Sequence, residues 1–151
     1  MSFQELFTES KGQPINYKGK EIKLADKVIL ISNEIALKIT LISTNSKWRQ
    51  GIVLETKGGF HVNKQKISNK IVLWEDTAPK QVEIKIKSKD KVLFIYNVWN
   101  TGDETTHYWH YGAALYTEQI SNIIMFYCND GQPNDDFTDL VFKVEYGDLS
   151  I

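Results

Sequence analysis

From Val82 to Lys87 the chain alternates without a break, with Val82, Ile84 and Ile86 set against Glu83, Lys85 and Lys87. A repeat of two is the repeat of a strand, and it sends the three apolar side chains to one face and the three charges to the other. The same rhythm returns over Glu34–Ser43, through Ile35, Leu37, Ile39 and Leu41, and over Leu140–Tyr146, through Leu140, Phe142, Val144 and Tyr146. Shorter apolar runs at Val28–Ile31, Gly51–Thr56, Phe60–Asn63, Ile67–Trp74, Val92–Trp99 and Ile120–Tyr127 read as further strands. Turn residues stand between them, at Ser32-Asn33, Thr44-Asn45-Ser46, Lys57-Gly58-Gly59, Glu75–Pro79 and Ser88-Lys89-Asp90. No stretch carries a convincing amphipathic helical pattern. The pattern predicts an all-β chain of about eight or nine strands spaced about ten residues apart, an antiparallel β-sandwich or jelly roll, with a closed barrel as the alternative.

The 151 residues suffice for one domain with a core, and no repeat or linker divides them. Residues 1–19 form a lead-in broken by Gly12, Pro14 and Gly19. No apolar run approaches the ~20 residues that span a bilayer. The opening Met1-Ser2-Phe3-Gln4-Glu5-Leu6 lacks a basic and then apolar leader, so the expected compartment is the cytoplasm, with signal-independent export compatible. Cys128 is the only cysteine, which excludes an intrachain disulfide. Charge is unevenly spread. Residues 1–99 carry 17 Lys/Arg against 10 Asp/Glu, and residues 100–151 carry one against 9. The acidic third argues against nucleic acid as a partner there. The lysines upstream, such as Lys85, Lys87 and Lys89, fit a solvated sheet face.

Chemistry concentrates in Asn129–Asp139. These eleven residues hold four aspartates and two asparagines, with no Lys or Arg. Calcium takes six to eight oxygen ligands, at roughly 2.3–2.6 Å, and such a loop supplies them. Asp130, Asp135, Asp136 and Asp139 are the charged candidates, and Asn134 is a neutral one. Crowded carboxylates repel, and a divalent cation relieves that repulsion. The same residue types also make ordinary exposed turns. The spacing is not that of an EF-hand, since no Glu stands at the twelfth position.

The run Asp130-Gly131 … Asn134-Asp135-Asp136-Phe137-Thr138-Asp139-Leu140-Val141 resembles the calcium loop of the small bacterial fucose-binding lectins. Those proteins are β-sandwiches in which a D-G-x-D-N-D-Y-N-D run holds two calcium ions that bind sugar hydroxyls directly. The resemblance implies that Asp136 and Asp139 match carboxylates of the motif and that Asn134 falls on one of its aspartates. This chain has one extra residue after Asp130-Gly131, and Thr138 stands where the lectins place an asparagine. The likeness covers about 15 of the 151 residues.

A second stretch, Asn97–Gly112, gathers Trp99, Trp109, Tyr108, Tyr111, His107 and His110 among amides and acids. Sugar sites combine an aromatic wall for the C–H face of the ring with amides and carboxylates for its hydroxyls. Asn100, Asp103, Tyr108 and Trp109 are the ligand-binding candidates; Trp99, closing an apolar strand, is read as packing. His107 and His110 could join a zinc site only with a third ligand, and none has diagnostic spacing. No nucleophile elbow, metalloprotease helix or phosphate loop appears. The expectation is a non-catalytic, calcium-dependent binding module with saccharide as its leading ligand class, an oligomer being compatible. A metal-independent interaction or immunity-type module and a small hydrolase are the competing readings.

Overall fold

The computed structural model describes residues 3–102, 106–107, 113–132 and 136–146. A seven-residue helix, α1 (Phe3–Glu9), precedes eleven strands: β1 (Ile15–Tyr17), β2 (Lys20–Ile22), β3 (Asp26–Ile29), β4 (Glu34–Thr44), β5 (Arg49–Val62), β6 (Gln65–Trp74), β7 (Gln81–Asn100), β8 (Thr106–His107), β9 (Ala114–Ile120), β10 (Ile123–Asn129) and β11 (Leu140–Tyr146). All pairings are antiparallel. β1 and β2 form a hairpin, and the other nine strands form one sheet with the order β6-β5-β7-β4-β11-β10-β9.

This is an all-β antiparallel sandwich made by folding one sheet over. β7 is the spine. β4 lies beside its first part (Gln81–Lys87), β3 beside Val92–Ile95 and β8 beside Trp99-Asn100. β5 accompanies β7 along its other side, from His61↔Lys85 to Arg49↔Asn100. From β7 the sheet runs through β4, β11, β10 and β9. A bridge from Leu115 of β9 to Lys23, with backbone bonds of 2.9 Å in both directions, then leads to β3 and back to β7. The enclosed core includes Leu54, Phe60, Leu93, Ile95, Phe126 and Phe142, and the last two rings stack at 4.6 Å. A second apolar cluster joins Phe3 and Phe7 of α1 to Ile22, Ala114 and Phe137.

The structure departs from the sequence reading at three places. Lys57-Gly58-Gly59 and Ser88-Lys89-Asp90 are not turns between strands; they are a shared bend inside β5 and β7, where Gly58 pairs with Ser88 and the register slips. Polar groups satisfy each other there. Thr56 Oγ1 lies 2.7 Å from Ser88 Oγ and 2.8 Å from the Val92 carbonyl oxygen, and Asp90 Oδ1 accepts the Val92 N–H at 3.1 Å. Gly58 is required: its φ is +144°, and a Cβ would sit 2.0 Å from the Lys87 carbonyl oxygen. The run Ile120–Tyr127 is split by a tight turn at Ser121, whose φ is +58°. The lead-in holds a short helix where the pattern predicts none, and Phe3 and Phe7, one helical turn apart, bury one face of α1.

Candidate functional site

The Asp/Asn loop connects β10 to β11. Asn134 and Asp135 lie outside the described residues, as do Asp103, Tyr108 and Trp109. The remaining candidates fall into two groups: Asp130 and Asp139 are buried, and Asp136 is exposed.

Asp130 is the hub. Its Oδ2 accepts from Ser46 Oγ at 2.5 Å and from Gln50 Nε2 at 3.0 Å, and its Oδ1 accepts the Gln132 N–H at 2.9 Å. A carboxylate offers about four lone-pair directions, so most of this one is spent inside the protein. Gln50 is held by the same need. Its amide nitrogen serves both Asp130 and the Trp48 carbonyl, at 3.1 Å, and its Oε1 has no partner among the described residues. The loop ends are pinned by backbone contacts. Asn129 Oδ1 accepts the Phe137 N–H at 2.8 Å, and the Asn129 carbonyl accepts from Asn97 Nδ2 at 2.8 Å. Phe137 takes a left-handed φ of +57°, a costly conformation for a bulky residue. It is held there by burial against Phe3 and Tyr116 at 5.7 and 5.1 Å.

Asp139 is only 2% exposed, and its Oδ2 accepts the Asp130 N–H at 3.0 Å. Burial is the main influence on its carboxyl group and raises its pKa. The Asp130 N–H works against that rise, and the nearby charges of Asp130 and Asp136 add to it, so the group is pushed up to about 7. Among the described residues no basic side chain forms an ion pair with Asp130, Asp136 or Asp139. A polar cleft of about 440 Å³ opens beside them, lined by Thr44, Asn45, Ser46, Lys47, Gln132, Asp136 and Asp139. Thr44 ends β4 and Asn45–Lys47 belong to the β4–β5 connection, brought here because β11 pairs with β4 as far as Leu140↔Thr44. The Asn45 N–H donates to the Asp139 carbonyl at 3.1 Å.

Among the described residues no three His, Cys, Asp or Glu side chains group as a metal cage. A cation in the cleft would therefore rest on Asp136 and Asp139 together with hydroxyl, amide and backbone oxygens. That donor set fits a hard ion such as calcium rather than zinc.

The aromatic stretch meets this site through Trp99. Its indole is buried, and a Cβ on Gly131 would lie 2.8 Å from Trp99 Cζ2, so the loop backbone rests on the ring. His107 stacks on Trp99 at 6.2 Å. Asn100 closes β7, where its Oδ1 accepts the Gly102 N–H at 2.8 Å. Cys128 is fully buried, and burial, then Asp139, pushes its thiol above the ordinary range, away from the reactive thiolate form.

Sequence reasoning missed Ser46 and Gln50, and it placed Asn97 in the aromatic stretch rather than with the acidic loop that it holds. The one available signal was a polar amide bordering or interrupting an apolar strand, as Gln50 does before Gly51 and Asn97 does within Val92–Trp99. No protein-family model, curated protein or solved structure matches the chain.

Proposed function

We propose that this protein is a non-catalytic binding module that takes calcium in the cleft over Asp136 and Asp139 and recognises a polyhydroxyl ligand, a saccharide, beside it. The observation that carries the reading is the Asp130–Asp139 pair, two buried carboxylates joined through a backbone N–H and without a basic partner among the described residues. Such a pair lowers its energy by taking up either a proton or a cation. Asp136 and Asp139 supply the charge, neutral oxygens of Thr44, Asn45, Ser46 and Gln132 are at hand, and Asp130 positions the loop. With few charged donors, the site belongs with the weak calcium class of about 10⁻⁴–10⁻³ M, which fills only where free calcium is abundant.

The test is thermal unfolding in excess EDTA, then with calcium restored and with magnesium and zinc as controls. Free calcium at about a hundred times the dissociation constant adds roughly 2.7 kcal/mol, a shift of several degrees. A calcium-specific rise, followed by retention on a glycan array that EDTA abolishes, supports the proposal. Indifference to all three ions rejects it.

A further inference from the structure

On another part of the sheet the solvent face carries apolar side chains. Cross-strand partners share a face. Ile29 opposes Val92, and Lys27 opposes Phe94, which in turn opposes Glu55, itself opposite Lys70. Ile29 is 67% exposed and Phe94 is 38% exposed, while Leu93 and Ile95 point inward and are fully buried. Beside Val92 and Phe94 the bend in β5 and β7 leaves a dent of about 640 Å³, bordered by Gly58, Asn69 and Lys89. An exposed apolar strip beside a dent is the shape that receives a side chain from outside.

The charge around the strip is one-sided. Glu55 and Asp90 are the nearby acids, and both are already engaged: Glu55 by Lys70 at 3.7 Å and by the Tyr96 hydroxyl, Asp90 by Lys57 at 4.0 Å. Lys27, Lys89 and Lys91 are exposed and have no carboxylate partner among the described residues. We propose that this face docks an acidic segment of a partner protein, which seats an apolar side chain on Val92 and Phe94 and sets its carboxylates against Lys27, Lys89 and Lys91. Charge complementarity selects the partner and steers its approach. An anionic bilayer fits less well, because two carboxylates, Glu55 and Asp90, stand among the apolar side chains. The surface owes nothing to the calcium cleft, so the two proposals stand or fall separately.

The probe is a labelled peptide alternating Glu and Phe, followed by fluorescence anisotropy in EDTA at about 50 and 200 mM salt. A Lys/Phe peptide and phosphatidylserine vesicles serve as comparisons. Expected are saturable binding of the Glu/Phe peptide, at least tenfold weakening at the higher salt, and at least tenfold loss in both Phe94→Ser and the Lys89→Glu/Lys91→Glu pair. Ile120→Ser, which removes a still more exposed isoleucine at the end of β9, should bind as the parent does. Phe94 is exposed enough for its variant to fold, and a matching circular dichroism spectrum checks this. Equal binding of the Lys/Phe peptide, preference for the vesicles, concentration-dependent self-association that blocks the peptide, or no binding at all would each overturn the proposal.

Discussion

The bend inside β5 and β7 and the loop between β10 and β11 are built from the same residue types, and the two behave in opposite ways. At the β5–β7 bend, Asp90 sits in water and accepts the Val92 N–H, with Ser88 and Lys57 adding to it, so its carboxyl lies below the ordinary value. At the β10–β11 loop, Asp139 is sealed in beside Asp130 and its carboxyl lies well above. A carboxylate met by donors in solvent completes a fold, whereas a carboxylate buried against another is left with something to gain. The difference comes from burial and company, because the side chain is the same.

Four substitutions probe the contrast. Gly58→Ala should have the largest effect: its backbone conformation is forbidding and the new Cβ meets the Lys87 carbonyl, so denaturant melts should show a loss of about 3 kcal/mol or more. A near-neutral result would mean that the bend does not depend on glycine. Asp130→Ala should cost about 2–3 kcal/mol, since Ser46, Gln50 and the Gln132 N–H lose a shared charged acceptor, less the relief given to Asp139. Asp139→Asn should run the other way. The amide oxygen still accepts the Asp130 N–H, and the repulsion is gone, so in EDTA at pH 7.5 the variant should gain about 1 kcal/mol and lose its response to calcium.

That gain has a defined pH window. A carboxyl whose folded pKa is raised holds a proton that the unfolded chain releases, so stability falls as pH rises from the ordinary 3.8 to about 7. The advantage of Asp139→Asn should therefore shrink on going to pH 5. Asp90 has the opposite sign: its contribution is present above the ordinary value and is lost as pH falls through the lowered one. Asp90→Asn should accordingly show its effect, the smallest of the series, at neutral pH and lose it in acid. Parallel pH profiles for the two variants would erase the contrast.

Period-two patterning was enough to find β4, the first part of β7 and β11 within a few residues, because in each one face is more deeply buried than the other. It failed where hydrogen bonding rather than patterning decides. Ser88-Lys89-Asp90 has the composition of a turn, yet Thr56 and Val92 satisfy it inside a strand. Within the candidate site, the clustering of aspartates was legible; their division into hub, buried partner and exposed side chain was not. That division depends on β4 lying beside β11, which brings Ser46 to Asp130, and no local pattern encodes a pairing between distant strands.

The route by which the sheet closes has a temporal consequence. Asp26 finds its partner at Ile95 and Lys23 at Leu115, so the segment that completes the circuit is made long before its neighbours. At about 5–20 residues per second, β3 waits seconds during synthesis for β7, and Lys23 waits longer for β9. Local hairpins such as β5–β6 and β9–β10 need no such wait, whereas closing the long loop carries its entropic cost first. The N-terminal strands are thus the late-fastened part of the molecule, and α1 settles onto Phe137 only once the acidic loop exists to receive it.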